Sequence, residues 1–519
     1  MRKKYLCILI FGVVLLLGSC RKDFEFSPSS GKLTFSRDTV FLDTVFSNIG
    51  SGTYNLKVYN RSNDDIVIPS VRLEQGQQSG YRLNVDGKAG KEFTDVEIMA
   101  KDSIYIFIET TVDIESLTAT QTQFLYTDAI SFDSGSNEQK VELVTLIQDA
   151  VFLFPDKENG IKESLLLDVD ADGNETRIEG FFLEDDELVF TNEKPYVIYG
   201  YAAVENGKVL TVEAGARVHF HTGSGIIIAA GGSLKVNGEL STDPLLLENE
   251  VIFEGDRLET SFSNIPGQWG TVWLTDGSTA NELNFLTIKN ATVGILMDHN
   301  DGTSNPTLTI KNTSIYNSSN FGTWAKTGHI NAENLVIGNA GLSSLYCNIG
   351  GIYSFKHCTF ANYWTNSYRN LPSVLIDNYS DLGDGTTFTA DLEQADFSNC
   401  IIFGNNNYEL LFDKADNASF NYTFRNCLIK FDDFNTQFAD DTLYDFTNSS
   451  LFENIILNEG PDFKDPQKQD FKIGDESAAN NQGNEETAQD VPLDLLGVDR
   501  TNAPDIGAYQ SISLEQTTN

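Results

Sequence analysis

Two aspartates 22 residues apart, Asp276 and Asp298, are the best-placed pair in this chain for acid–base or nucleophilic chemistry. The segments Thr271-Val-Trp-Leu-Thr-Asp276 and Val293-Gly-Ile-Leu-Met-Asp298 align, which would set the two carboxyls at the ends of neighbouring strands. Carboxyls about 5 Å apart can divide the acid and nucleophile roles of a retaining glycosidase, and His299 stands beside them. Both also open turns (Asp276-Gly, Asp298-His-Asn), which is the plain structural reading of the same residues. A second constellation, Asp168-Val-Asp170-Ala-Asp172-Gly173-Asn-Glu-Thr-Arg-Ile-Glu179, fits the calcium-loop template D-x-D-x-D-G-x5-E. Its alternating carboxylates and closing Glu179 predict a structural Ca2+. Against it, Glu175 stands where an aliphatic residue is preferred, and the flanking runs look like strands. The third is Asn362-Tyr363-Trp364-Thr-Asn-Ser-Tyr368-Arg369-Asn370. Tyr363, Trp364 and Tyr368 offer flat faces for sugar rings, Arg369 could fork onto a carboxylate, and Trp324 would extend the platform. The alternative is that these rings fold inward and plug an irregular turn of chain.

The elements that must position these groups are legible as a repeat. Ile288-Lys-Asn-Ala-Thr-Val293, Ile310-Lys-Asn-Thr-Ser-Ile315 and Ala332-Glu-Asn-Leu-Val-Ile337 share one phrase, which continues at Phe355, Phe397 and Phe424. The first steps are 22 or 23 residues, then 42 and 27. A period in that range marks stacked units, and its Ile, Val, Phe and Thr content broken by Asn and Gly points to short strands with polar corners. The expectation is a right-handed parallel β-helix. Asn tolerates the left-handed conformation that a sharp corner needs, so Asn290, Asn312, Asn334, Asn399 and Asn426, with His357 replacing one member, are read as a stacked corner column. Cys358, Cys400 and Cys427 share the column beside it and, with Cys347, should be mostly free and buried. The long step leaves room for a whole rung between Cys358 and Cys400.

Residues 31–150 read differently. Short runs such as Tyr54-Asn-Leu-Lys-Val-Tyr59 and Ser103-Ile-Tyr-Ile-Phe-Ile108 alternate in period two between Gly, Asn and Asp turns. That pattern predicts an immunoglobulin-like β-sandwich serving as a spacer. The expected organisation is 1–20 signal peptide, 21–30 tether, 31–150 sandwich, 151–195 lead-in segment with the acidic loop, 196–457 β-helix and 458–519 C-terminal cap. The fold class is thus all-β.

The first 20 residues carry a basic start (Arg2, Lys3, Lys4) and an apolar stretch too short to span a bilayer. Leu17-Gly-Ser-Cys20 resembles the lipobox of bacterial lipoproteins, which implies acylation of Cys20 and a lipid membrane as one partner. Arg21-Lys22-Asp23-Phe24-Glu25 loosely resembles a surface-export signal, so an outer-membrane, outward-facing location is expected. The formal charge of −40 argues against nucleic-acid binding.

Val209-Leu-Thr-Val and Gly232-Ser-Leu-Lys-Val-Asn-Gly238 resemble the opening rungs of bacterial β-helix proteins of the pectate-lyase-like superfamily. Leu496-Gly-Val-Asp-Arg500 and Asp505-Ile-Gly-Ala-Tyr509 resemble the terminal signature of surface-anchored members, in which this segment closes the solenoid. The resemblance implies fold and leaves function open. Its lyases use a calcium-binding acidic cluster, and its hydrolases use close Asp residues with Gly-His-Gly and Arg-x-Lys. Here Gly328-His329-Ile330 lacks the second Gly, and no Arg-x-Lys follows. The resulting expectation is a non-catalytic glycan-binding or adhesion rod. Its rivals are a polysaccharide lyase or glycoside hydrolase, and a purely structural envelope protein.

Overall fold

The computed structural model describes residues 25–113, 123–169, 173–383 and 386–514. The chain divides into two units, Met1–Asp149 and Ala150–Asn519. In the first, a six-stranded and a five-stranded sheet enclose one apolar core. Strands such as Tyr81–Val85 alternate buried and exposed side chains, the signature of a sheet with one face inward. Tyr81 is buried among them, its hydroxyl donating to the Tyr126 carbonyl and meeting Thr145 Oγ1 at 2.9 Å.

The second unit is a right-handed parallel β-helix with three sheet faces joined into one continuous parallel array. Val272–Leu274, Val293–Met297, the start of Phe321–Gly338, the start of Leu345–Lys356, Val374–Asp377 and Leu410–Asp413 stack on the first face. The interior is a single apolar column. Within it Phe355, Phe397 and Phe424 stack at 4.9 and 4.6 Å on successive rungs.

The array starts at Val151–Leu153, which pairs with Tyr196–Ile198, not at Tyr196 as the sequence suggested. The excursion through two hairpins before Gly180–Phe182 rejoins the sheet hid this first rung. Cys358 and Cys400 lie on consecutive rungs, since Lys356 pairs with Ser398 and Thr359 with Ile401. The extra residues form the outer hairpin Tyr379–Asp381/Thr387–Thr389 and the loop 363–373. All four described cysteines are free and buried.

The corner column exists, with one correction. Asn312, Asn334, His357, Asn399 and Asn426 all have φ between 47° and 56°. Asn334 Nδ2 donates to Asn312 Oδ1 at 2.9 Å, and Asn399 Nδ2 lies 2.8 Å from His357 Nε2. Asn290 belongs elsewhere. Ile288 pairs with Ile315, so Asn290 stands level with Asn317 and Asn339 at the next corner, and Phe285 takes the expected place in the first column with φ 44°. Both corners demand a left-handed residue, so their local phrases look alike.

The C-terminal segment does not close the end of the solenoid. Phe431, Phe438, Tyr444 and Phe446 fill that position. The segment instead runs along the side of the β-helix. There Asn334 Nδ2 donates to Leu493 O, Asn399 Nδ2 to Asn484 O and Asn426 Nδ2 to Gln482 O. Arg500, fully buried, donates to Asn334 Oδ1 and to the carbonyls of Gly507 and Ala508.

Candidate functional site

Side chains alternate in and out along a strand. On the first face Ile295, Met297, Ala325, Cys347 and Ile376 point into the core, so Trp273, Leu296, Trp324, Tyr346, Leu375 and Leu411 point outward. These six stand in register on successive rungs, about 4.8 Å apart. They form a strip along one face. Trp324 and Tyr346 stack at 6.1 Å and 10°, with Phe321 against both.

Two residues further along each strand the same face carries Asp298, Lys326, Asn348, Asp377 and Asp413. This polar column ties down the rings diagonally, one rung to the next. Trp273 Nε1–H donates to Asp298 Oδ2 at 2.6 Å, and Trp324 Nε1–H to Asn348 Oδ1 at 3.2 Å. The Tyr346 hydroxyl donates to Asp377 Oδ2 at 2.6 Å, and that of Tyr379 to Asp413 Oδ2 at 2.7 Å. Lys326 Nζ sits 2.8 Å from Asp298 Oδ1 and 4.7 Å from the centre of the Trp324 ring, in cation–π range.

Electrostatics keep these hydroxyls as donors. Burial, then the Asp377 hydrogen bond, pushes the Tyr346 phenol well up. The hydrogen bond to Asp413, followed by burial, pushes Tyr379 up to about 12. Burial also raises the Asp377 carboxyl, against the hydrogen bonds it accepts from Tyr346, Ile349 N–H and Asn348. Ile349, β-branched with φ 60°, is held in that costly conformation by a 2.7 Å bond from its N–H to Asp377 Oδ1. Asp377 is therefore committed to shaping the face, whereas Asp413 is exposed beside it. Rings held by the buried Asn348 and Asp377, with Asp298 half-buried and Asp413 exposed alongside, suit binding of a polyhydroxylated chain.

Asp298 and Trp324 fall within this strip, as part of an arrangement the sequence did not reveal. Asp276 does not. Leu274 pairs with Met297, so the register is one residue longer than the alignment implied, and Asp298 follows level with Thr275. The aromatic loop is also corrected. Trp364 is 9% exposed and turned in, its Nε1–H donating to Ser367 Oγ. Arg369 does fork onto a carboxylate, but onto the buried Glu409, at 2.8 and 2.5 Å. Tyr363 packs against Phe463 and Phe471 of the C-terminal segment, where burial raises its phenol. Tyr368 alone of that set is freely exposed.

Two of the four carboxylates of the calcium template, Asp168 and Glu179, lie among the described residues. Asp168 pairs with Thr176 across a hairpin, while Glu179 pairs with Ser164. Thr176 and Glu179 are three residues apart in one strand, so the Asp168 and Glu179 side chains leave opposite faces, and Glu179 is engaged by Lys162. Asp170, Asp172 and the lipidation candidate Cys20 lie outside the described residues. Sequence reasoning missed Trp273, Tyr346, Tyr379, Lys326, Asn348, Asp377 and Asp413. The available signal was a recurring triplet, outward ring or Leu, inward apolar, outward polar: Leu296-Met-Asp298, Trp324-Ala-Lys326, Tyr346-Cys-Asn348, Leu375-Ile-Asp377 and Leu411-Phe-Asp413.

No protein-family model matches this chain, and no curated protein matches it by sequence. Among solved structures, Dex49A from Penicillium minioluteum is similar at 8% identity and TM-score 0.22, over 80% of this chain and 82% of that one. The catalytic unit of a GH87 alpha-1,3-glucanase from Streptomyces thermodiastaticus aligns at 9% identity and TM-score 0.18, over 72% and 79%. A PapD-like domain of human CEP192 matches 25% of this chain at 10% identity and TM-score 0.15. At such scores these likenesses carry no functional argument.

Proposed function

We propose that this chain is a glycan-binding protein whose binding face is the outward strip from Trp273 to Leu411. The observation that supports the reading is the diagonal tethering of the rings, since each indole N–H or phenol hydroxyl is already bonded to the next rung. Rings fixed before a ligand arrives lose little rotamer freedom on binding. A regular row at rung spacing suits a linear chain of sugars better than a compact molecule. The commitment of Asp377 to three neighbours and of Asp298 to Trp273 and Lys326 favours binding over hydrolysis. We further propose, from the N-terminal sequence, that acylated Cys20 anchors the protein at the outer membrane facing outward. Loss of palmitate labelling in Cys20→Ser, with surface protease accessibility of the parent, tests that part.

The test of binding uses the soluble chain from Arg21 onward in affinity electrophoresis through a panel of polysaccharides. Product sizes are followed by mass spectrometry. At least one glycan should retard the protein, and Trp324→Ala should weaken that retention roughly ten-fold, in line with loss of an aromatic anchor. Shortened glycan products would overturn the non-catalytic reading, and retention unaffected by both Trp273→Ala and Trp324→Ala would remove the strip from it.

A further inference from the structure

We infer that the strip selects glycans without carboxylate or sulfate groups. This rests on the glycan-binding reading for its biological meaning, but the underlying charge property belongs to the face itself. Along the polar column the order is Asp298, Lys326, Asn348, Asp377 and Asp413, three carboxylates against one cation. That cation is already engaged: Lys326 Nζ lies between Asp298 Oδ1 and the Trp324 ring, with side-chain exposure of 28%. Lys414, which follows Asp413 directly in the chain, points to Asp416 at 3.5 Å. Asp413 is exposed and takes its described hydrogen bond from the neutral Tyr379 hydroxyl, so its charge is not cancelled there.

Such a row presents acceptors. Sugar hydroxyls can donate to Asp413 and to the outer lone pairs of Asp298, as can an ammonium. A uronate or sulfate would bring a second anion, itself only an acceptor, within a few ångströms of the first, with no free guanidinium or ammonium on the column to bridge them. The effect is local and screened beyond a Debye length of about 10 Å at 0.1 M salt. The rest of a chain with formal charge −40 reinforces it. It also bears on the lyase alternative. β-Elimination removes the proton next to a uronate carboxyl, so a face that repels uronates does not hold a lyase substrate.

The tryptophans give a readout that needs no known ligand. The chain has four. Trp269 and Trp364 are 1% and 9% exposed, while Trp273 and Trp324 are partly exposed on the strip. Fluorescence quenching of the soluble chain by iodide, caesium and acrylamide, each normalised to free N-acetyltryptophanamide, therefore samples this face. At low salt iodide should quench about three-fold less than caesium, with the gap closing at high salt. Asp413→Asn should raise iodide quenching measurably at low salt, where a Debye length of about 30 Å at 0.01 M reaches across the three rungs to Trp324. Asp185→Asn, a change at an 89%-exposed carboxylate away from the column, should leave it unchanged and so separates local from overall charge.

In parallel, retention is compared between polygalacturonate and fully methyl-esterified pectin, one backbone with and without its charges. The inference predicts that polygalacturonate is not retained at low salt. Retention of polygalacturonate there, or iodide quenching equal to that of caesium and indifferent to Asp413→Asn, overturns the inference. If no glycan in any panel is retained while the quenching asymmetry and its response to Asp413→Asn hold, the glycan-binding reading falls and the exclusion of anions from this face stands.

Discussion

Two long faces of the same β-helix solve the same problem in opposite ways. On the face formed by Leu286–Lys289, the ends of Leu308–Tyr316 and Phe321–Gly338, Thr359–Asn362 and Ile401–Gly404, outward positions in register are Tyr316, Gly338, Ala361 and Phe403, and the C-terminal segment lies over them. The small residues make room for rings supplied from elsewhere. Phe471 sits so close to Gly338 that an added Cβ would meet its ring at 2.2 Å. On the first face the rings belong to the rungs themselves and are tied by the polar column of the following rung. One face is a socket for the chain's own return, and the other is built from the rungs' own rings, with Trp273 at its start packed against the cluster of Leu165, Tyr201, Ala203 and Ile227. Aromatic content alone thus does not tell the proposed binding face from the packed one. The partner of each ring's polar tip, and the size of its neighbours, do.

The contrast can be broken most severely beneath the open face. Glu409→Ala leaves the Arg369 guanidinium buried and unpaired (side-chain exposures 3% and 0%). It should cost about 3–5 kcal/mol in urea unfolding. A cost below 1 kcal/mol would show that water replaces the carboxylate. Next, Phe471→Ala should cost about 3–4 kcal/mol and expose residues 460–512 to limited proteolysis, with retention of any glycan on the first face unchanged. Loss of both together would mean that the two faces are one coupled structure.

A third effect is smaller and depends on pH. His357 is fully buried, with Asn399 Nδ2 donating to its Nε2 and Gly507 O accepting from Nδ1, so it is neutral. Burial first, then the nearby Arg500 and Lys356 cations, against the bonds to Gly507 and Asp505 backbone, holds its pKa well below the usual 6.5. Above pH 6.5 folded and unfolded chains are both neutral there and the residue contributes no pH dependence. Below it the unfolded chain gains a proton that the folded chain refuses, so stability falls with pH by up to about 1.4 kcal/mol per unit until the folded value is reached. His357→Asn, the residue type at most other positions of that column, should flatten this part of the pH profile. The smallest change should come from Trp324→Ala, within about 1 kcal/mol in unfolding, because its ring is only half-buried. Its effect on retention should greatly exceed its effect on stability.

The repeat was legible because corners impose a strict local rule. Left-handed φ at Asn312, Asn334, Asn399 and Asn426 favours Asn whatever the rest of the rung contains. The same strictness misplaced Asn290, since both corners obey it. The strip was harder to see because its members meet only after stacking. Tyr346 and Asp377 are 31 residues apart, and an outer hairpin and the loop 363–373 vary the rung length between neighbours. Asp298 and Trp324 were visible as residue types, whereas their partners were not. Arg369 was misread for a related reason, because nothing near it in sequence announces Glu409, 40 residues on.

The lateral C-terminal segment changes how this solenoid should come apart. Stacked repeats ordinarily interact only with their immediate neighbours, so they can fray one unit at a time. Here one stretch of chain is bonded to the corners at Asn334, His357, Asn399 and Asn426, spanning four consecutive rungs. Opening any one of those rungs must strain the attachments of the other three. This part of the array should therefore exchange its amide hydrogens as a single cooperative block, while the rungs near Tyr201, beyond the reach of that tie, exchange by stepwise fraying.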